Sequence, residues 1–82
     1  MYEKKQAVTT LQELQHGQVG KIIDISHKDE DARCRMLSMG IYPGVRVEVL
    51  RAAPMGDPLQ IRCGSTLISI RKSEAGFIEV AL

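Results

Sequence analysis

Arg35-Met36-Leu37-Ser38-Met39-Gly40-Ile41-Tyr42-Pro43-Gly44 is the stretch on which the fold turns. It reads as the end of a helix followed at once by a corner. Gly40 falls where a helix is left through a positive φ, a conformation that only glycine adopts without steric cost. Ile41 then supplies the apolar residue that folds back on Met36 to complete a Schellman cap. Pro43 presets φ for the next turn and Gly44 provides its positive φ, the pattern of a type II turn. One helix-to-strand corner is therefore fixed, and beyond it the apolar period changes.

Upstream of the corner, Ala32, Met36 and Met39 recur at i, i+4 and i+7, with Leu37 widening the stripe. Asp29, Glu30 and Asp31 stand in the first turn, where the helix dipole favours negative charge. The segment is expected to be a helix capped within Ser26–Asp29. Before it, Gln18–Ser26 reads as a strand in which Val19, Ile23 and Ile25 share one side and Ile22 faces the other. Thr10-Leu11-Gln12-Glu13 fits a capping box that starts a short helix, ended by Gly17. Residues 1–8 read as a flexible lead-in, leaving residues 9–82 as one domain.

Downstream, the period is two. Val45, Val47 and Val49 alternate with Arg46 and Glu48, and Leu59, Ile61 and Cys63 with Gln60 and Arg62. Between them, Pro54, Gly56 and Pro58 mark a loop, because prolines break a ladder. Gly64-Ser65 suits a two-residue hairpin. Leu67–Arg71 returns as a strand, Ser73–Gly76 reads as one helical turn, and Phe77–Ala81 is a last strand. The expected fold is mainly β: an SH3-like five-stranded barrel with one inserted α-helix and a short N-terminal helix. Barrel closure would bury a thin core and leave no exposed edge.

The 82 residues are 44% hydrophobic and 26% charged, with formal net charge +1 and three aromatic residues. A basic excess and stacking platforms, the first marks of a nucleic-acid binder, are missing, so nucleic acid is not an expected partner. No apolar run approaches the roughly 18 residues of a membrane helix, and no apolar segment follows Met1–Lys5 as in a secretory signal. The expected location is cytoplasmic. Cys34 and Cys63 are not in a C-x-x-C pair; a single disulfide between them stays open, with buried thiols the commoner outcome.

From Arg35 onward the sequence resembles the FeoA family of bacterial ferrous iron transport. The resemblance rests on the segment at 35–44, on Ala53-Pro54-Met55-Gly56-Asp57-Pro58, on Ser69–Ala75, and on Ile78 and Val80. Methionine at 36, 39 and 55 stands where that family usually has leucine, a volume-preserving change. Ser65 stands where an aromatic often follows the hairpin glycine. The resemblance implies a small accessory that binds and modulates the membrane GTPase-permease FeoB, through its cytosolic part and without chemistry of its own. A similar domain closes metal-dependent regulators of the diphtheria-toxin-repressor type. The competing expectation is thus a metal-responsive module binding a transition metal ion or a peptide.

The candidate partner-binding residues are Tyr42, Met55, Gly56, Asp57, Leu67 and Phe77. Met55-Gly56-Asp57 is a loop tip stiffened by prolines, and a stiff apolar tip loses little entropy on binding. Tyr42 is an anchor beside the corner, and Leu67 and Phe77 oppose the inward parity of their strands, so they would line an apolar groove. Self-association through the same patch is a third option. Gly40, Pro43, Gly44, Pro54, Pro58 and Gly64 are expected to be structural. His16, His27, Asp29, Glu30, Asp31, Cys34 and Cys63 lack the ligand spacing of common zinc or iron sites. With no nucleophilic set or phosphate loop either, no metal site, cofactor or catalytic residue is expected.

Overall fold

The computed structural model describes residues 7–52 and 57–82. In chain order the elements are β1 (Val8–Thr10), a 3₁₀ turn (Leu11–Glu13), β2 (Val19–Ile25), α1 (Glu30–Met39), β3 (Arg46–Ala52), β4 (Leu59–Cys63), β5 (Thr66–Ile70), α2 (Lys72–Ala75) and β6 (Ile78–Ala81). The strands form one antiparallel sheet in the order β1-β6-β2-β3-β4-β5.

The corner at 35–44 forms as its residues dictate. Gly40 has φ +102°, its N–H donates to Leu37 O at 3.1 Å, and Ile41 N–H donates to Met36 O at 3.0 Å. Met36 and Ile41 are both fully buried. The next turn follows, with Gly44 at φ +97° and Val45 N–H donating to Tyr42 O at 3.2 Å. Gly44 N–H then donates to Ile22 O at 2.7 Å, which ties the corner to β2. At its other end α1 is capped by Asp29, whose carboxylate accepts from Asp31 N–H.

Several expectations need correction. The sheet has six strands, because Val8–Thr10 pairs with β6 in the register Val8–Ala81 and Thr10–Glu79; the sheet thus begins inside the segment read as a lead-in. It is not closed into a barrel: among the described residues no ladder joins β1 to β5. Instead the elements that follow these two edge strands, the 3₁₀ turn and α2, touch each other. They bury Leu11 and Ala75 completely. Side-chain packing there takes the place of a ladder. Thr10 makes no side-chain cap bond, so the capping box does not form, and one 3₁₀ turn is all the helix there is. Finally, β2 reverses its parity at a bulge between Ile22 and Asp24. Ile22 and Ile25 are therefore both buried, while Ile23 is 41% exposed and Val19 is also outside. Strict alternation could not show this.

The core is aliphatic, from Leu11 and Leu14 through the inward residues of all strands except β1 to Met36 and Ile41, and among the described residues it holds no buried polar side chain. Leu37, expected to widen the helix stripe, is instead 45% exposed. At Gly20, β2 and β6 pack closely against each other. A β-carbon there would lie 2.3 Å from Val80 Cγ1 and 2.9 Å from Ala81 O. Gly20→Ala is expected to destabilise the fold by about 1–3 kcal/mol, as overpacking does, because the carbonyl cannot move without breaking the β2–β6 ladder. Chemical denaturation of the two proteins measures the difference.

Candidate functional site

The outer face of the sheet is set by strand parity. On β4 and β5, Leu59, Ile61, Cys63 and Ile70 point into the core, while Gln60, Arg62, Leu67 and Ser69 point out. The hairpin joining the two strands turns at Gly64, φ +60°, and closes on the pair Cys63–Thr66. Glycine at the first central position is what a type II′ turn requires. On the outside, Leu67 lies opposite Arg62, and Arg62 lies opposite Glu48 of β3. Leu67 is 67% exposed, more than any other large hydrophobic among the described residues. A shallow concavity of about 220 Å³ beside it is lined by Leu50, Gln60, Ile61, Leu67, Ile68 and Ser69.

A second concavity, of about 360 Å³, continues along the same strand and is lined among the described residues by Asp57, Pro58, Ser69 and Arg71. Ser69 borders both. Asp57 has a structural task here: its Oδ1 accepts from Lys72 N–H at 2.9 Å and so satisfies the first turn of α2. Among the described residues there are two ion pairs. Arg35 bonds Glu74, tying α1 to α2, and Arg62 Nη1 stands 3.8 Å from Glu48 Oε1. A surface pair of this length contributes at most about 1 kcal/mol.

A family model for the FeoA domain matches residues 9–82. The chain belongs to the FeoA family. It is 33% identical to a crystallised iron uptake regulatory protein, FeoA, with a TM-score of 0.79 over 92% of this chain and 96% of that one. FeoA of Stenotrophomonas maltophilia, described as a procaryotic SH3 domain protein and solved with zinc, is 27% identical. Its TM-score is 0.76 over 88% of each chain. The FeoA sheet described above is thus SH3-like and mainly β, in a family related to ferrous iron transport. A manganese-dependent transcriptional repressor gives a TM-score of 0.84 at 20% identity, over 95% of this chain and 43% of the repressor. That likeness is one of fold.

The sequence candidates scatter over this surface. Asp57 and Leu67 come together along β5, one at each concavity, with Ser69 between them. Phe77 follows α2; its ring lies 4.5 Å from that of His27, and its carbonyl accepts from Ser26 N–H and Oγ. Tyr42, about half exposed, belongs to the α1–β3 corner. Pro54, Met55 and Gly56 lie outside the described residues. Leu50, Ile68 and Ser69 were not candidates, since nothing in their local pattern marks them; Leu50 sits at a register shift of β3 against β4.

The two cysteines are both free, Cys34 exposed on α1 and Cys63 buried on β4. Burial pushes the Cys63 thiol from 9.0 up to about 11. The unfolded chain therefore releases this proton at lower pH than the folded one, so Cys63 lowers stability as pH climbs from about 9 to about 11. Iodoacetamide at about pH 8 is expected to modify Cys34 alone in the native protein, and both thiols in denaturant. Mass spectrometry of the alkylated chain gives the count.

Proposed function

We propose that this FeoA protein is an accessory of ferrous iron transport that works at the cytoplasmic face by binding the GTPase-linked permease FeoB. It carries out no chemistry of its own. The observation that supports this reading most is Leu67, a large aliphatic side chain held out on an edge strand where it lines a concavity. Exposed apolar groups arranged around a groove are the usual mark of a contact surface. Iron, on this reading, is the cargo of the partner and not a resident of this domain. No helix of the described residues is long and apolar enough to cross a membrane; on this reading attachment there comes through the partner.

Two measurements test it. Wild-type protein is expected to bind the purified cytosolic part of the permease, and Leu67→Asp to weaken that binding by about tenfold or more, equivalent to about 1.4 kcal/mol. Equal binding by the variant would remove β5 from the contact, and no binding by the wild type would remove the partner. Anaerobic titration calorimetry with ferrous ion is expected to show no saturable binding tighter than micromolar. Tight binding would favour the metal-responsive module instead.

A further inference from the structure

Among the described residues, the edge of β5 has free main-chain groups whose identity follows from the ladder. Gly64 N–H donates to Arg46 O of β3 at 2.9 Å. Even-numbered residues of β4 thus direct their peptide groups to β3, and Leu59, Ile61 and Cys63 direct theirs to β5. Their partners are Ile70, Ile68 and Thr66. By alternation, the N–H and C=O of Leu67 and Ser69 point away from the sheet, and among the described residues no strand lies beyond them. Natural edges are usually blunted by charge, proline or a bulge. Thr66-Leu67-Ile68-Ser69-Ile70 has none of these, and its register with β4 is unbroken. The opposite edge, β1, offers only three residues.

The surroundings have a charge preference. Residues 46–52 and 57–72 hold five cations, Arg46, Arg51, Arg62, Arg71 and Lys72, against the carboxylates of Glu48 and Asp57. Glu48 stands by Arg62, and Asp57 is bonded to the Lys72 amide. Arg71, exposed, directly follows the strand and lines the larger concavity.

The geometry points to strand addition: β5 takes an extended segment of a partner protein as a seventh antiparallel strand, acidic where it passes Arg71 and aliphatic, four residues later, where it passes Leu67. Main-chain bonds to Leu67 and Ser69 supply the attachment, and the two concavities flanking Ser69 select the side chains. This rests on the docking reading above and specifies what docks. A second copy is disfavoured as occupant, since its own cations would meet these and the edge alone is a small area for a stable dimer.

The test begins with a displayed library of random decapeptides panned on the full chain. Enriched sequences are expected to carry an acid followed four residues later by an aliphatic residue. With the best peptide added, amide exchange at Leu67 and Ser69 slows at least about tenfold, while Ile68 and Ile70, already bonded to β4, do not change. Leu67→Lys and Arg71→Glu, both at exposed positions, weaken the peptide by about tenfold or more with unchanged thermal unfolding. Failure to enrich, enrichment of basic or proline-rich sequences, or protection without this alternation would overturn the proposal. So would protection of Leu67 and Ser69 in the protein alone that grows with concentration, which would make the occupant a second copy. If the permease part binds but leaves these two amides unprotected, strand addition is wrong and the docking reading survives. If the permease part fails to bind while a library peptide gives the alternating pattern, the named partner is lost and strand addition stands.

Discussion

The fold depends on β2 holding two partners at once. On one side it pairs with β3, its near neighbour in sequence; on the other it pairs with β6, where Ile22 meets Val80 and Ile25 meets Ile78. The second pairing joins residues 21–25 to residues 78–81, and the entropy of closing so long a loop must be offset by what the contact buries. Gly20 is the reason the strands come close enough: with no β-carbon, it admits Val80 and the Ala81 carbonyl against the backbone. The bulge at Ile23 then turns Ile25 inward, so Ile22 before it and Ile25 after it contribute to one aliphatic core.

That arrangement leaves the sheet open, with consequences for function. A ladder between β1 and β5 would have consumed every edge. Here the 3₁₀ turn and α2 close the core by packing, with Leu11 and Ala75 fully buried, and the main-chain groups of β5 keep their bonding capacity. The same strand shows Leu67 to the outside and Ile70 to the core, because successive side chains alternate. Stability and recognition are thus divided between two faces of a single five-residue element. In a domain of this size, with a thin core, an outward-facing strand is the most economical way to present a rigid surface.

Electrostatics have a secondary place. Net charge is +1 over the chain, yet the cations gather around β3–β5 while several carboxylates are engaged in structural contacts. Asp29 caps α1, Asp57 caps α2, and Glu74 holds Arg35 between the two helices. Overall composition, being a sum, conceals this segregation.

Local rules were enough for the corner at 35–44, the type II turn, the Gly64 hairpin and the inward residues of β4, since each depends on steric preferences of a few neighbouring residues. The FeoA resemblance and the SH3-like, mainly β class were legible from the same stretches in order. Tertiary structure alone decided the rest. The parity of β2 changes at a bulge that depends on its pairing with β6, and Val8–Thr10 becomes a strand only because Ala81 and Glu79 are there to pair with it. Whether the sheet closes depends on how two distant turns pack. The candidate site divides in the same way: Leu67 was visible as an outward residue, but its company with Leu50, Ser69, Asp57 and Arg71 is set by strand register, a long-range property that no local pattern encodes.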